Sequence, residues 1–263
     1  MLLVVFLSSS CRKDNLNDVA SKPLVALPPA GYKLVWADEF NGPTLDLEKW
    51  GYRYLGARRA AFNSKESVTI DTNIHALVIN TFSRNDSVFT GMIGTMKKME
   101  AKYGYFETSI RVEGIFPNYW PAFWLQSDNF GKTLNPLEDG MEIDIFEFIG
   151  GDPYRVDHYL HWNGYGANHQ QAYSVTTSKT PFNDNKFHQF ALEWTPDYYR
   201  YFVDGHLVWE FNGPISQTKQ YMILSTEVSD KNVFKEHVGA KGGTKFEVDY
   251  VRVYSKDSSI SGK

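Results

Sequence analysis

The densest chemistry in the chain is the hexapeptide Glu142-Ile143-Asp144-Ile145-Phe146-Glu147, set between Gly140-Met141 and Phe148-Ile149-Gly150. Three carboxylates are threaded through a run of Ile, Phe and Met that otherwise reads as a buried strand. An ionised carboxylate in apolar surroundings must be paired or must change its proton affinity, so this arrangement is costly. Strand side chains alternate, which puts Glu142 and Asp144 on one face and Glu147 on the other. One extra residue at Ile145-Phe146, a bulge, returns Glu147 to the face of the other two, and bulges are frequent beside active sites.

Four effective steps then separate the two Glu α-carbons by roughly 13 Å. Leaning inward from a curved sheet, their carboxyls can approach to about 5 Å, the separation of a retaining glycosidase. There, one carboxylate attacks the sugar while the other donates and later accepts a proton. Asp144 between them would hold the nucleophile and help set the proton affinities, since neighbouring like charges push one pKa up. The alternatives on these residues alone are a calcium site or an edge strand of solvated acids. Calcium ligands usually come from loops carrying Asp, Asn and Gly rather than from alternate positions of an apolar strand.

The sequence Gly140-Met-Glu-Ile-Asp-Ile-Phe-Glu147 resembles the bulged E-x-D-x-x-E signature of glycoside hydrolase family 16. Further segments match that family in order from about Tyr32 to Tyr254. They are Trp36-Ala-Asp-Glu-Phe-Asn-Gly, Tyr103-Gly-Tyr-Phe-Glu-Thr, Trp120-Pro-Ala-Phe-Trp124, Glu193-Trp-Thr-Pro-Asp with Val203-Asp-Gly, and Val248-Asp-Tyr-Val-Arg-Val-Tyr254. The resemblance implies an all-β, concanavalin-like jelly-roll sandwich of two antiparallel sheets with an open concave cleft. It also implies retaining, endo-acting cleavage of a β-glycan. Glu142 would be the nucleophile, Glu147 the general acid/base and Asp144 the orienting acid. The same resemblance places Arg59 and Asn63 beside the minus subsites, and His161 and Trp162 near the cleavage point. No cofactor is implied for the reaction; several family members carry a structural calcium ion, for which Glu39 and Asp249 would supply ligands here.

Composition narrows the partners. A formal charge of −4 over 263 residues offers no basic field for nucleic acid or an anionic membrane. Seven Trp and sixteen Tyr suit both a sandwich core and flat walls for sugar rings. The single cysteine, Cys11, excludes an internal disulfide. It follows an apolar run over residues 1–10 that is too short to span a bilayer. Residues 1–11 resemble the end of a lipoprotein signal with Cys11 lipidated, although no positive segment precedes the apolar run, so the true start is expected further upstream. A plain secretory signal or a chance apolar start are the alternatives. Residues 12–30, polar and then Pro-rich, read as a flexible tether, residues 31–256 as the catalytic jelly roll, and residues 257–263 as a tail. An exported monomer at the cell surface or in the periplasm is expected, touching the membrane only through a lipid at Cys11.

The elements that must position the acids are short strands. Residues 67–71 and 76–80 form a hairpin. Residues 105–112 alternate, with Tyr105, Glu107, Ser109 and Arg111 on a face that is either a groove wall or an outer surface. In residues 120–126, Trp120, Ala122, Trp124 and Gln126 share a face, with the indoles roughly 13 Å apart over a small Ala. Both Trp120 and Trp124 are therefore candidates for sugar stacking, with core packing as the alternative. His158 and His161, three apart on a strand, point to opposite faces, which argues against zinc. The clearest hairpin spans residues 199–211 with an Asp204-Gly205 turn.

Ser225 and Glu227 share a face at the end of residues 221–227, adding Glu227 to the substrate-contact set. Laminarinase-like family members are expected to carry an Asn and a Gly-rich end there. Residues 231–243 read as a long loop. A transglycosylase with the same site, and a non-catalytic carbohydrate-binding jelly roll, are the rival functions; for substrate, β-1,3- or mixed-linkage glucan stands ahead of β-galactan.

Overall fold

The computed structural model describes residues 18–22, 24–25, 27–239 and 242–256. Cys11 and the 257–263 tail lie outside these residues. Two stacked sheets, of eleven and eight strands and almost wholly antiparallel, enclose one main core. The larger sheet is centred on Gly104–Val112, Gly243–Ser255 and Ala76–Arg84; the smaller one runs Gln170–Thr177, Arg155–Trp162, Glu142–Glu147, Tyr119–Gln126, Gln220–Val228, Met92–Gly94, Gly51–Tyr52. This is the jelly roll the sequence implied.

Alternation decides which side chains fill the space between the sheets. Phe123 and Leu125, Leu160 and Val156, Met222 and Leu224 point inward and are fully buried. The opposite face of the same strands, termed here the site face, carries a separate strip of Met92, Trp120, Ala122, Trp124, Tyr221 and Ile223. Glu142–Glu147 breaks the alternation once. Ile145 and Phe146 both enter the core, and the pairing slips so that Asp144 opposes Tyr159 while Glu147 opposes Asp157. That slip is the expected bulge. It is held by the apolar content of the strand, since Phe146 packs 4.5 Å from the Phe190 ring.

Two expectations are corrected, and one alternative left open by the alternation is decided. The tether is docked over its described part: Val19 enters the core, Asp18 bridges Thr177, and Val25 N–H donates to Gly205 O at 2.9 Å. Val25, Leu27 and Tyr32 then cover Tyr105, Ala191 and Phe202 on the outer face of the larger sheet. Their apolar side chains pack where a free linker would expose them. Tyr105 lies under this cover, so its alternating set with Glu107 and Ser109, both buried, belongs to the outer face and not to a groove. Finally, the expected 231–243 loop contains a helix, Lys231–Val238. Asp230 caps it by accepting from Asn232 and Val233 N–H, while Phe234 is buried against Phe116 and Tyr119.

Candidate active site

The site face brings the three acids together. Asp144 and Glu142 are 3% and 9% exposed, and Glu147 is half-buried. Glu142 is the best held: Gln126 Nε2 donates to its Oε2 at 2.7 Å and the Tyr165 hydroxyl donates to its Oε1. Two glycines set Tyr165 in place. Gly131 and Gly164 both adopt positive φ (+74° and +67°), and a Cβ on Gly131 would lie 2.5 Å from the Gly164 Cα. Only glycine allows the two loops to approach that closely. Phe130 then meets the Tyr165 ring edge-on at 5.4 Å.

Asp144 Oδ2 is buried with no hydrogen-bond partner, and the nearest base is His161 Nε2 at 3.6 Å. His161 Nδ1 lies 2.9 Å from His169 Nε2, and burial together with His169 pushes the His161 pKa down to about 4. A neutral imidazole cannot neutralise Asp144, whose pKa is raised by burial and then by the charges of Glu147, Glu142 and Glu227. Burial, with Glu227 adding to it, lifts Glu142 to about 7 against the hydrogen bonds from Tyr165 and Gln126. Glu147, which accepts no hydrogen bond from the described residues, is lifted further, to about 8, by burial and by Glu142, Glu227 and Asp157. The group therefore holds protons near neutral pH, and most firmly at Glu147 rather than Glu142.

The other expected contacts divide. Trp120 and Trp124 both lie on the site face, each 8% exposed, with Trp124 Nε1 donating to Ser225 Oγ at 3.0 Å. The Arg59 guanidinium lies 5.0 Å over the Trp120 ring and pairs with Glu227. Arg58 also donates to Glu227, from Nε at 3.0 Å and Nη2 at 2.5 Å. Glu227 is thus a cleft acid locked between two guanidiniums, so a sugar hydroxyl must compete with Arg58 and Arg59 for it. Asn63 is buried, donating to Arg53 O at 3.4 Å, and so ties the arginine loop together.

His161 stacks on Tyr159 at 5.4 Å, and Tyr159 in turn on the exposed Tyr173 at 5.6 Å. Trp162 goes the other way, packing on the core side with Phe211. The alternation that carries His161 to the site face carries Trp162 away from it, which corrects its assignment as a substrate contact.

Of the two residues expected to hold calcium, Glu39 is engaged by an arginine. Both Glu39 oxygens accept from Arg252, at 2.8 and 2.9 Å, so Glu39 is already neutralised. Among the described residues the one group of three acidic or His ligand atoms within 4.8 Å is Glu142, Asp144 and His161, in the cleft itself. Sequence reasoning missed Tyr165, Asp157, Arg58 and His169. Gln126 alone had a signal, its place on the Trp120–Trp124 face.

Fold and site together define an all-β jelly roll whose bulged strand presents three acids, Glu142, Asp144 and Glu147, on one sheet face. The sequence profile described as Glycosyl hydrolases family 16 matches residues 57–252, and the chain belongs to that family. It is 26% identical over 270 residues to Glucan endo-1,3-beta-glucosidase A1 of Niallia circulans, covering 86% of this chain and 38% of the relative. It is 29% identical over 196 residues to a Beta-glucanase of Rhodothermus marinus, covering 68% of this chain and 65% of the relative. The chain therefore spans less than two thirds of either relative's length. Among solved structures, SCLam, a non-specific endo-beta-1,3(4)-glucanase, superposes with a TM-score of 0.71 at 29% identity, covering 90% of this chain and 95% of SCLam.

Proposed function

We infer that the protein is a retaining, endo-acting glycoside hydrolase that cuts internal β-linkages of a polysaccharide. The observation that carries this is the bulge: it sets a buried Glu142 and a half-buried Glu147 on one face, with the proton held more firmly at Glu147. In the first step a Glu142 oxygen bonds to the anomeric carbon as the glycosidic C–O bond breaks, and Glu147 gives its proton to the departing oxygen. Water then attacks the same carbon, Glu147 takes its proton, and the Glu142–sugar bond breaks. Tyr165 and Gln126 hold Glu142 in line for attack. Burial and the neighbouring acids raise the proton affinity of Asp144, and in its protonated form it would donate a hydrogen bond to a neighbouring carboxylate.

A β-1,3- or mixed-linkage glucan is the substrate class the relatives' names favour, being those of β-1,3- and β-1,3(4)-glucanases. The Arg58–Glu227–Arg59 cluster on the site face is the feature that would favour a different chain, a β-galactan, over laminarin. An enzyme lipidated at Cys11 would act at a membrane surface, and incorporation of labelled fatty acid, abolished in Cys11→Ala, tests that. The test of activity is mass spectrometry of products from laminarin, lichenan, agarose, porphyran, carrageenan and mucin glycans, each repeated with Glu142→Ala. Oligomers from one polysaccharide that vanish in the variant support the assignment. An active Glu142→Ala protein overturns it, and glycan binding without products would favour a binding protein.

A further inference from the structure

A buried cation sits towards one edge of the smaller sheet with no acid paired to it among the described residues. Arg53, which follows the Gly51–Tyr52 strand, is 9% exposed. Its guanidinium lies between the rings of Tyr54 and Tyr221, 5.1 and 4.6 Å from their centroids. Its hydrogen-bond partners are Met96 Sδ, Tyr54 OH and Tyr221 OH, with no carboxylate among them, and its Nε is buried without a partner. Gly94 makes room for it: a Cβ there would lie 2.7 Å from Arg53 Cδ. A buried guanidinium without a counter-charge is costly, and a Met or Leu would fill the same space more cheaply.

What Arg53 gains is a connection to Glu142. Arg53 Nη2 donates to Tyr221 OH at 3.1 Å, Tyr221 OH donates to Gln126 Oε1 at 3.2 Å, and Gln126 Nε2 donates to Glu142 Oε2 at 2.7 Å. The last three residues sit on adjacent strands, so the chain of bonds crosses the sheet at right angles to them. Each bond dictates the next. A guanidinium has no acceptor, so the phenol oxygen must accept from it and its single proton is left for Gln126. With the amide oxygen engaged, only the amide N–H is left to face Glu142. Burial keeps the Tyr221 phenol protonated, as this direction requires.

We propose that Arg53 is a positioning residue for Glu142: acting through Tyr221 and Gln126, it holds the attacking carboxylate ionised and fixes its orientation. Hydrogen bonds in series polarise one another, so a cation at the far end strengthens the bond made to the carboxylate. Glu142 is also faced by Tyr165, Glu227, Arg58, Asp144, Glu147 and His161, and Tyr221 by Asp128 as well as Arg53 and Tyr54. These neighbours are unchanged by substitution at Arg53.

The catalytic meaning of this arrangement rests on Glu142 being the nucleophile, so the test reads the Glu142 charge directly. Carbon-13 NMR of glutamate-labelled protein, with the Glu142 carboxyl assigned through Glu142→Gln, follows its titration in the full chain. Arg53→Met and Tyr221→Phe are expected to raise the Glu142 midpoint by about half to one pH unit, while Arg53→Lys stays near wild type. On a polysaccharide that is hydrolysed, the acidic limb of the kcat/KM profile moves by the same amount, and KM changes little. An unmoved midpoint in folded Tyr221→Phe, which keeps the ring and its packing, overturns the proposal even if Arg53→Met does not fold. Because the NMR titration needs no turnover, inactivity on every glycan would sink the proposed activity and leave the relay independently tested.

Discussion

Two faces of this sandwich carry buried acids, and they are treated in opposite ways. On the outer face of the larger sheet, Glu107 and Glu193 are each 3% exposed, yet Arg252 approaches Glu107 at 3.8 Å, and Arg200 and Lys256 approach Glu193 at 3.7 Å. Tyr32 adds a hydrogen bond to Glu193 at 3.1 Å. On the site face Glu142, Asp144 and Glu147 form no ion pair with Lys or Arg among the described residues, while Glu227, one sheet position beyond the tryptophans, takes both Arg58 and Arg59. The outer face stores charge in order to hold strands together. The site face withholds cations so that its carboxylates keep protons to exchange.

The largest effect should come from exchanging each acid for its neutral amide. Glu142→Gln and Glu147→Gln are expected to cut kcat by about a thousand-fold or more while the protein melts at the same or a higher temperature. Glu193→Gln should do the reverse: activity near wild type, with a loss of about 1–2 kcal/mol, discounted because Arg200 and Lys256 are solvated. Calorimetry beside steady-state kinetics reads both. A stabilised Glu193→Gln, or a destabilised Glu147→Gln, would erase the contrast between the faces.

The second effect is in pH. The proposed mechanism requires Glu142 ionised and Glu147 protonated, so the profile should be bell-shaped around the neighbouring values of about 7 and 8, as apparent constants of a coupled pair. Stability follows with a definite sign. Both folded-state values lie above the ordinary carboxyl value, so the folded protein binds protons the unfolded chain has lost. The stability this gives is fully present below about 4.5 and is lost as pH rises towards 7–8. In Glu147→Gln that loss on the alkaline side should shrink, and an unchanged stability–pH curve would contradict the raised proton affinity.

A smaller effect is expected from a histidine behind the site. His158 is buried on the core side, its Nδ1 2.7 Å from Ile145 O and its Nε2 3.0 Å from Thr176 Oγ1, so it holds the carbonyl of the bulged residue. Burial pushes its pKa down to about 4. Here the sign is opposite to that of the acids: the stabilisation is present above the ordinary value of 6.5 and is lost as pH falls towards 4. His158→Phe should cost about 1–3 kcal/mol through the orphaned Ile145 carbonyl, lower kcat severalfold and flatten the acid-side loss of stability. Unchanged kcat would mean that the bulge holds its shape without the imidazole.

The bulged strand was legible because charge in an apolar run is conspicuous and because period two exposes a bulge as a parity error. The same parity separated His158 from His161. Applied to the neighbour of His161, it would also have sent Trp162 inward; the family resemblance drew that residue to the site, and the pleat overruled it. Tyr165 was not legible, since its contact with Glu142 depends on two glycine loops meeting across 33 residues of chain. The 231–238 helix was hidden by its Lys and Gly neighbours, although Asp230 followed by Phe234 and Val238 on one face was the available signal. The docking of residues 18–22, 24–25 and 27–32 was hidden by Pro28 and Pro29, which suit a linker and equally suit a strap that pairs little with the sheet.

The smallest effect probes the boundary between the two treatments of charge. Arg59 pairs with Glu227, covers Trp120 and, through its charge, holds the Glu147 proton affinity down. Arg59→Met keeps an apolar cover over the indole but removes the cation, and it leaves Glu227 to Arg58 alone. Both changes act on Glu147 in the same direction, one by losing a positive charge and the other by baring a negative one. The alkaline limb of the pH profile should therefore move up by about half a unit or less, with high salt closing the gap because Arg59 is half exposed. A limb that stays in place would show that Arg58 alone neutralises Glu227 and that Arg59 serves the sugar platform. A limb that moves down would mean that Arg59 opposes the withholding of charge less than it shields Glu147 from water.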